Sequence, residues 1–401
     1  MDTELLAPEG TSPRTPHLLV VATVSITIRN FLIPYAAHFR ALGWTVDAAA
    51  TGVSMDPAIR GAFDHVYELP LSRSLTDLVS LLRGTRAISK ILKSQPDIVH
   101  VHTPIAAFVT RLVIRRTSDD RRPVVAYTAH GFHFHEGGHA ATNAFYLLAE
   151  KVAGRWTDRL IVMNGEDYDA ARRHKIVAGS RLLRMPGIGV DTDWYSRAAI
   201  DPEELTRIRR AFRVGPSTPL FVSVAELSRR KRGADIIKAL AQMKNREAIL
   251  ILAGEGPERR RLEDLADHLG VRNRVHFAGF IADVRALVAS ATALVIASDR
   301  EGLARAVMES LSLGVPVIAS TAKGNPELVG TDSGSVFSIG DVGDLASRMD
   351  WLIEHPVERR TMGDRGRVRM VEAYDLRILV RMHDEMYAAM LASRGRSGGR
   401  A

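Results

Sequence analysis

The 401-residue sequence predicts an α/β protein built from two doubly wound parallel sheets. Short apolar runs rich in Val and Ile alternate with longer amphipathic stretches, and this alternation is typical of parallel strands covered by helices on both faces. The length exceeds what one ordinary core holds and fits two domains of roughly 150–200 residues. Hydrophobic residues make up 46% and charged residues 25%, the balance of a globular chain.

The predicted strands fall into two groups separated by helical patterns. In the first half the strands are HLLVVATV from His17, TVDAAA from Thr45, DIVHVH from Asp97, VVAYTAH from Val124 and RLIVMN from Arg159. In the second half they are LFVSVAE from Leu220, AILILAG from Ala248, VHFAGF from Val275, ALVIAS from Ala293 and VPVIAS from Val315. The clearest helical patterns of the first half cover residues 31–42, 77–93 and 140–153.

Pro and Gly residues in MPGIGVDTDWY, residues 185–195, break the pattern and predict the domain boundary. We expect a flexible segment at 1–16, domains at 17–190 and 191–375, a final helix at 376–392 that returns to the first domain, and a disordered tail at 393–401. The first sixteen residues lack the apolar stretch of a signal peptide, and no apolar run is long enough to span a bilayer.

The composition narrows the classes of function. The chain has no cysteine, which excludes disulfides and thiolate chemistry and agrees with a reducing cytoplasm. Its net charge of +8 suits an anionic ligand, an anionic membrane or nucleic acid. We expect no nucleic-acid partner, because no recognition helix is visible and the aromatic residues, 6% of the chain, are not interleaved with the basic runs.

Basic residues of the first half are separated by apolar ones and could rest on an anionic membrane surface. Ordinary surface charge is the alternative, and the sequence leaves both open. These residues are Arg73, Arg83, Arg86, Lys90, Lys93, Arg111, Arg115, Arg116, Arg121 and Arg122.

Two loops of the second half follow predicted strands, where open parallel sheets bind their ligands. SRRKRG, at 228–233, is either a solvated loop or a clamp for a diphosphate, because Lys and Arg neutralise phosphate oxygens and a following helix N-terminus adds partial positive charge. GEGPE, at 254–258, has paired glycines that could bring backbone amides close to a ligand, but it is also a common tight turn. It lacks the third glycine of the dinucleotide fingerprint.

A third loop, SDREGLARAVMESLSLGVPVIAS from Ser298, carries two glutamates. Glu301 comes first, and a helix opened by the amides of 302–304 is predicted to contain Glu309; such amides suit an anion. Eight helical residues span roughly 12 Å and about 800°, so the two carboxylates would not share a face and are poorly placed as an acid–nucleophile pair. They could bind hydroxyls at two points of one long ligand, or simply face solvent.

Histidines are concentrated at or after strand ends of the first half. They are His100, His102, His130, His133, His135 and His139. A metal hydrolase is the rival hypothesis, because His-x-His is a common ligand spacing. The only acid nearby is Glu136, so we expect no metal here and assign these histidines structural or sugar-contacting roles.

Glu301-x7-Glu309 followed by Gly-Val-Pro-Val resembles the signature of retaining glycosyltransferase family 4. The resemblance runs from about residue 18 to 374 and implies the GT-B fold, two Rossmann-like domains facing across a cleft. Further motifs resemble a narrower subgroup, which adds N-acetylhexosamine or related sugars to undecaprenyl-diphosphate-linked precursors of capsules, exopolysaccharides and glycoproteins. They are VATVSITIRNFLIPYAAHF from Val21, TAHGFHFHEGG from Thr128, MPGIGVD from Met185 and REGLARAVMES from Arg300.

The resemblance implies roles for the second-domain residues. Glu309 would bind the ribose hydroxyls of a UDP-sugar, Glu301 the hydroxyls of its sugar, and Lys231 its diphosphate. The remaining donor-binding residues would be Gly254, Gly256, Phe280 and Ile281 beside the uracil, and the amides of Gly302, Leu303 and Ala304. Many relatives carry an Arg where this chain has Glu226; Arg229, Arg230 or Arg232 would supply that charge, and which one stays open.

For the first domain the resemblance implies that His130 faces the donor and acts with Lys231 and Glu301 as a catalytic group. The acceptor side would be formed by Ser25, Arg29 and Asn30 of a loop at 25–30, and by Phe132 and His133. Members of the family use no metal and no side-chain nucleophile, so no cofactor is expected. The implied partners are a nucleotide-sugar, a polyprenyl-diphosphate-linked saccharide and the inner face of the cytoplasmic membrane.

Other activities stay open from sequence alone. A GT-B transferase could act on a soluble acceptor, and a nucleotide-sugar epimerase or a glycosyl phosphorylase could share the same fold.

Overall fold

The computed structural model describes residues 15–72, 74, 77–118, 122–134 and 138–397. The predicted flexible segment therefore lies almost wholly outside the described residues, as do Arg73, Arg121, His135 and Glu136. The chain forms two parallel sheets with helices on both faces of each, which confirms the predicted fold class.

The first sheet has the strand order β3-β2-β1-β4-β5-β6-β7. Its strands are β1 His17–Val24, β2 Thr45–Thr51, β3 Val66–Glu68, β4 Ile98–His102, β5 Val124–Ala129, β6 Arg159–Val162 and β7 Leu182–Arg184. The helices around it are α1 Ser25–Phe31, α2 Ile33–Ala41, α3 Pro57–Ala62, α4 Leu78–Ile91, α5 Pro104–Ile114, α6 Ala140–Gly154 and α7 Gly165–Arg173.

The second sheet has the order β10-β9-β8-β11-β12-β13. Its strands are β8 Leu220–Val224, β9 Ile249–Ala253, β10 Val275–Gly279, β11 Ala293–Ile296, β12 Val317–Ser320 and β13 Gly334–Phe337. Its helices are α8 Pro202–Ala211, α9 Gly233–Gln242, α10 Arg259–His268, α11 Arg285–Ala289, α12 Arg305–Ser312, α13 Asn325–Val329, α14 Val342–Glu354 and α15 Pro356–Arg369, and α16 Leu376–Ser397 ends the described chain.

Alternate residues of the central strands enter opposite cores, as the two-residue period of a strand requires. Leu18 and Val20 of β1 pack on one face of the first sheet and Leu19 and Val21 on the other. Because both faces are covered, the central strands are mostly apolar, which is why the sequence shows long Val and Ile runs.

The last helix packs on the first sheet rather than the second. Leu379, Met386 and Met390 of α16 share a core with Leu18 and Val20 of β1. The chain crosses between the sheets twice at one place, where the Val190 amide donates to Tyr374 O at 2.9 Å and the Leu376 amide donates to Val190 O at 2.9 Å. A Cβ at Gly189 would lie 2.7 Å from Leu376 Cα, so this crossing requires glycine.

Every predicted strand is present, and the prediction missed three short ones, β3, β7 and β13. Residues 25–30 were expected to be a loop but form most of helix α1, and the predicted helix at 31–42 begins at Ile33. Helix α16 runs to Ser397, so residues 393–397 of the predicted disordered tail are helical, and residues 398–401 lie outside the described part. In the described chain no helix is both long and apolar enough to cross a bilayer.

Candidate active site

Loops from the two sheets meet where the parallel strands end. A Cβ at Gly302, after β11, would lie 1.9 Å from the carbonyl oxygen of His130, after β5. A Cβ at Gly324, after β12, would lie 1.8 Å from the carbonyl oxygen of Gly302. Real Cβ atoms do not approach other atoms so closely, so glycine at both positions lets the three backbones touch. The junction brings the predicted first-domain and second-domain motifs together.

A cavity of about 300 Å³ lies at this junction between the domains. Residues 130–133 form its first-domain wall, and its second-domain wall consists of Arg230, Arg300, Glu301, Gly302 and Lys323. Three of the lining side chains are cationic and one is a carboxylate, so the cavity suits a ligand with negative charge.

The predicted catalytic pair Lys231 and Glu301 is in direct contact beside this cavity. Lys231 Nζ donates to Glu301 Oε1 at 2.5 Å, and both side chains are mostly buried. The two residues follow β8 and β11, which are neighbours in the second sheet, and this strand order places their loops side by side. An anionic ligand could compete with Glu301 for the ammonium group, because charge-assisted hydrogen bonds of this kind form equally with phosphate oxygens.

Glu309 lies in α12 and is buried, with its carboxylate already bonded. Arg305 Nε donates to Glu309 Oε1 at 2.6 Å, and Tyr195 also shares a hydrogen bond with this carboxylate. Burial, followed by the nearby Glu309 charge, raises the pKa of Tyr195. Arg305 also donates to the Asn30 carbonyl at 2.5 Å. This hydrogen bond connects the second domain to the first.

The helix after Glu301 begins later than the sequence suggested. Helix α12 starts at Arg305 with Ala304 as its N-cap, so Glu301 precedes the helix and the eight-residue helical spacing to Glu309 was wrong. The amides of Gly302, Leu303 and Ala304 precede the first helical turn, and they donate to no other backbone group of the described residues. The prediction that these amides open the helix was therefore wrong, because the first helical turn begins at Arg305.

Three arginines could replace the family arginine that is absent at position 226, and the structure places them at different sites. Arg229 pairs with Glu258 at 3.2 Å and is 84% exposed, and Arg232 pairs with Asp235 at 2.7 Å. Both line a different cavity, of about 430 Å³. Arg230 donates to the Arg300 carbonyl at 2.9 Å and lines the interdomain cavity with Glu301.

The glycines of GEGPE have a clear packing role. A Cβ at Gly254 would lie 2.0 Å from Ala225 O, and one at Gly256 would lie 2.3 Å from Leu227 O. These glycines let their loop pack directly on the backbone that follows β8. Beyond the neighbouring strand β10, Phe280 is 80% exposed, whereas Ile281 is partly buried against the second core.

Three predicted acceptor-side residues belong to α1. Arg29 is largely exposed and lies 3.6 Å from Asp56, and the Asn30 side chain is exposed next to the interdomain bond of its carbonyl. Ser25 lies at the start of the helix, with its Oγ 3.2 Å from where a Cβ of Gly52 would be.

Phe132 and His133 lie on the loop after β5. The Phe132 ring is only 2% exposed and stacks on Phe134 at 4.8 Å, so it packs in the first-domain core. His133 lies at the cavity with its ring 5.1 Å from that of Tyr146. Its pKa is lowered by burial and by the nearby cations Arg300 and Lys323.

A row of buried histidines runs from α16 to the cavity. His100 shares hydrogen bonds with Tyr387 OH at 2.5 Å and Thr128 Oγ1 at 2.7 Å. His102 Nδ1 and His130 Nε2 share one at 3.0 Å. Burial lowers the pKa of His130 to about 4 and holds those of His100 and His102 well below the usual range. These imidazoles are therefore neutral at pH 7.

Among the histidines that suggested a metal, His102 is bonded to His130, and His100 to the hydroxyl groups of Tyr387 and Thr128. Among the residues that the structure describes, no group of three or more His, Asp or Glu side chains is arranged to hold a metal ion.

One of the basic residues that suggested a membrane surface does not lie on the surface. Arg111 is buried, 3.4 Å from Glu150 and 4.2 Å over the Tyr127 ring, so it cannot face lipid.

Sequence reasoning missed several residues of the junction. Lys323 pairs with Asp167 across the domains at 2.7 Å, and both are buried. Asp167 Oδ2 accepts from the Phe132 amide at 3.3 Å, so the pair supports the loop after β5. Arg300 lies next to Glu301 in the sequence, and Lys323 follows a strand. The rule that ligands lie beyond strand ends would have found both, whereas Asp167 and Arg305 gave no such signal.

Comparison with known proteins agrees with this architecture. The family model for glycosyl transferases group 1 matches residues 206–369, and the model for glycosyltransferase family 4 matches residues 30–194. EpsD of Bacillus subtilis (strain 168), whose name also assigns it to the glycosyltransferases, is 32% identical over 381 residues, covering 94% of this chain and 97% of EpsD.

Two further relatives are more distant. The UDP-Gal:α-D-GlcNAc-diphosphoundecaprenol α-1,3-galactosyltransferase of Escherichia coli is 22% identical over 347 residues, covering 85% of this chain and 86% of its own. The crystal structure of Anabaena Alr3699/HepE with UDP and glucose has a TM-score of 0.77 at 19% identity, covering 93% of this chain and all of HepE, and it supports the fold. This chain is thus an enzyme that belongs to the glycosyltransferases of group 1 and family 4, with the GT-B fold.

Proposed function

We propose that this enzyme transfers a hexose or N-acetylhexosamine from a UDP-sugar to a lipid-diphosphate-linked saccharide of the undecaprenyl type, with retention and without a metal. The observation that carries the proposal is the Lys231–Glu301 pair beside a cationic cavity between two domains. The donor class is supported by the UDP and glucose held by HepE, and the acceptor class by the name of the Escherichia coli relative. The product would serve bacterial surface polysaccharide or glycan synthesis.

In this proposal the second domain holds the donor. Lys231 and Arg230 neutralise the diphosphate, and the amides of residues 302–304 add partial positive charge. Glu301 accepts from a hydroxyl of the sugar. Glu309 accepts from the ribose through its carboxylate, while Arg305 donates to Oε1 of the same group.

The reaction then needs no side-chain nucleophile. The bond between the sugar C1 and the diphosphate oxygen breaks, and a new bond forms on the same face between C1 and the acceptor oxygen. The proton of the acceptor hydroxyl passes to the departing phosphate oxygen, so the products are the glycoside and UDP. The protein contributes by stabilising the charge that grows on the diphosphate and by aligning the two substrates.

The same proposal places the enzyme at the inner face of the cytoplasmic membrane, where such an acceptor is reached. The N-terminal end of α4 exposes Leu78, Val79 and Leu82, and Arg83 and Arg86 follow on the same helix. An exposed apolar group flanked by cations suits an anionic lipid surface. Sedimentation with anionic and with neutral liposomes at low salt tests this point, and equal recovery in both pellets would refute it.

A donor and acceptor screen read by mass spectrometry tests the proposed function. We expect UDP-hexoses or UDP-N-acetylhexosamines to extend saccharide–diphosphate–polyprenol acceptors, with free UDP formed only when acceptor is present. Transfer to soluble sugars alone would replace the lipid-linked acceptor with a small-molecule one. UDP-sugar isomerisation without acceptor would instead indicate an epimerase. A parallel reaction with EDTA tests the metal-independent chemistry, and a rate restored only by a divalent ion would refute it.

A further inference from the structure

We propose that the polyprenyl diphosphate of the acceptor binds in a continuous path from the cations Arg300 and Lys323 to an apolar cavity between α6 and α7. The diphosphate would lie at the cations and the first isoprene units in the apolar cavity. This inference rests on the proposed function for the donor, and it assigns residues that the family motifs do not include.

The cationic end of the path carries charge that the described residues do not neutralise. No carboxylate within the described ranges pairs with Arg230 or Arg300, whereas the carboxylate of Glu301 is already held by Lys231. Lys323 keeps Asp167 as its partner, at 2.7 Å. A diphosphate brings negative charge and several acceptor oxygens, and an arginine binds such a group with two parallel hydrogen bonds.

Arg300 and Lys323 face the first domain, where the acceptor is expected. Both cations lower the pKa of His133, which places them close to the loop after β5. Lys323 Nζ also donates to the Phe132 carbonyl at 3.4 Å. The donor diphosphate is assigned to Lys231 and Arg230, so Arg300 provides a second, separate positive charge.

The apolar end of the path begins at Lys323. A cavity of about 330 Å³ shares this residue with the interdomain cavity, and most of its exposed surface is apolar, with Phe134, Ala144, Leu147 and Ala170 in its wall. Polar and charged residues also line it: Asn143, Glu166, Asp167, Arg173 and His174. The two cavities are therefore neighbours, one lined by cations and the other with a largely apolar surface that also carries polar residues. A molecule with an anionic head and a hydrocarbon tail matches the neighbouring cationic and largely apolar surfaces.

Exposed apolar side chains continue the path along α6. Phe145 and Leu148 follow Ala144 and Leu147 on the same helix and are 54% and 62% exposed. Large apolar side chains that are exposed together usually mark a binding surface. They would carry the remaining isoprene units from the cavity towards the bilayer.

Binding of farnesyl diphosphate to the full chain, measured by calorimetry with and without saturating UDP, tests the path. We expect farnesyl diphosphate to bind at least about tenfold more tightly than pyrophosphate or farnesol, and to bind while UDP occupies the donor site. Arg300→Gln should weaken it about tenfold or more and leave the UDP affinity unchanged within about twofold. Ala144→Asp should weaken farnesyl diphosphate but not pyrophosphate.

Arg207→Gln is the matched control, because this exposed arginine of α8 pairs only with Glu204 of its own helix among the described residues. Thermal unfolding checks that every variant is folded. Competition between UDP and farnesyl diphosphate, or an equal loss of UDP binding in Arg300→Gln, would assign these cations to the donor and overturn the inference. UDP binding without farnesyl diphosphate binding would overturn the inference alone, whereas a chain that binds no UDP would contradict the proposed function.

Discussion

The two walls of the interdomain cavity carry their polarity in different ways. On the second-domain side, charged side chains form ion pairs: Lys231 pairs with Glu301. Arg305 and Glu309 form a second ion pair in the helix that follows. The first-domain wall holds neutral imidazoles, because burial keeps the pKa values of His102 and His130 far below 7. Under the proposed function, charge neutralisation would therefore belong to the second domain, and the first domain would position substrates through uncharged hydrogen bonds.

Replacing a charge of the second wall should have the largest effect. We expect Lys231→Ala to lower kcat about 10²–10³-fold, because it removes a preorganised cation from the leaving diphosphate. Lys231→Arg, which keeps the charge, should retain much more activity. Steady-state kinetics with Lys244→Ala, an exposed lysine of the same domain, provide the control. A variant that changes only the acceptor KM would show that Lys231 does not serve the donor.

A smaller effect is expected at Glu309. Glu309→Ala should raise the donor KM at least roughly tenfold, because one or two charge-assisted hydrogen bonds to the ribose are worth about 1.5–3 kcal/mol each. Arg305→Ala separates this role from a structural one, because it removes the present partner of Glu309 but keeps the carboxylate. Equal donor KM values in the two variants would mean that the ion pair matters and the ribose contact does not.

The sequence predicted His130, Phe132 and His133 of the first wall and Glu301 and Gly302 of the second, where it missed Arg300 and Lys323. The loops that carry Lys231 and Glu301 could be predicted because each follows a buried strand and strand ends of one sheet meet at one edge. The resemblance to family 4 singled out the two residues within those loops. The contact between Lys231 and Glu301 could not be predicted, because it depends on β8 and β11 being neighbours in the sheet, and sequence periodicity does not encode the strand order. Strand β3 was missed because a strand of three residues has no measurable period.

Contacts between the domains could not be predicted from either half alone. Asp167 lies in a helix of the first domain and Lys323 in a loop of the second, and only the relative orientation of the two sheets brings them together. The same holds for the row of histidines. The pattern His-x-His marked two of them, but their bonds to Thr128 and Tyr387 depend on strand pairing and on the return of α16.

A change in the first wall should have a moderate effect. His102 Nε2 is buried without a partner among the described residues, and a buried N–H left unpaired is rarer than an unpaired acceptor. This favours the tautomer in which His102 donates from Nδ1 to His130 Nε2 and the proton of His130 lies on Nδ1. We expect His102→Phe to lower kcat about fivefold, because it removes one hydrogen bond worth about 1 kcal/mol.

Nitrogen-15 chemical shifts of the His130 ring report its tautomer and test the same hypothesis. The Nδ1–H form should dominate in the wild type and should be mixed with the Nε2–H form in His102→Phe. An unchanged tautomer together with reduced activity would assign His102 to packing instead.

A further effect is expected on stability as the pH falls. His130 and His383 bind a proton near pH 6.5 in the unfolded chain but only near pH 4 when folded, because both are buried. Between these values the unfolded chain holds more protons, so the free energy of unfolding decreases with falling pH by up to about 1.4 kcal/mol per pH unit for each histidine. In contrast, hydrogen bonds from Arg377 and Thr192 lower the pKa of Asp375 to about 2, so its contribution is retained over this range.

The loss should therefore begin in the first domain. We expect the Tm to fall by several degrees from pH 7 to pH 5.5, since 1 kcal/mol shifts the Tm of a domain of this size by about 2–4 °C. Hydrogen exchange should show β4 and β5 losing protection before β8 and β11, and His102→Phe should flatten the pH dependence because it removes one titrating group. In the second domain His276 is the one described histidine whose burial lowers its pKa, and it lies on β10. If β10 lost protection before β4 and β5, the acid sensitivity would belong to the second domain, and the expected difference between the two domains would be wrong.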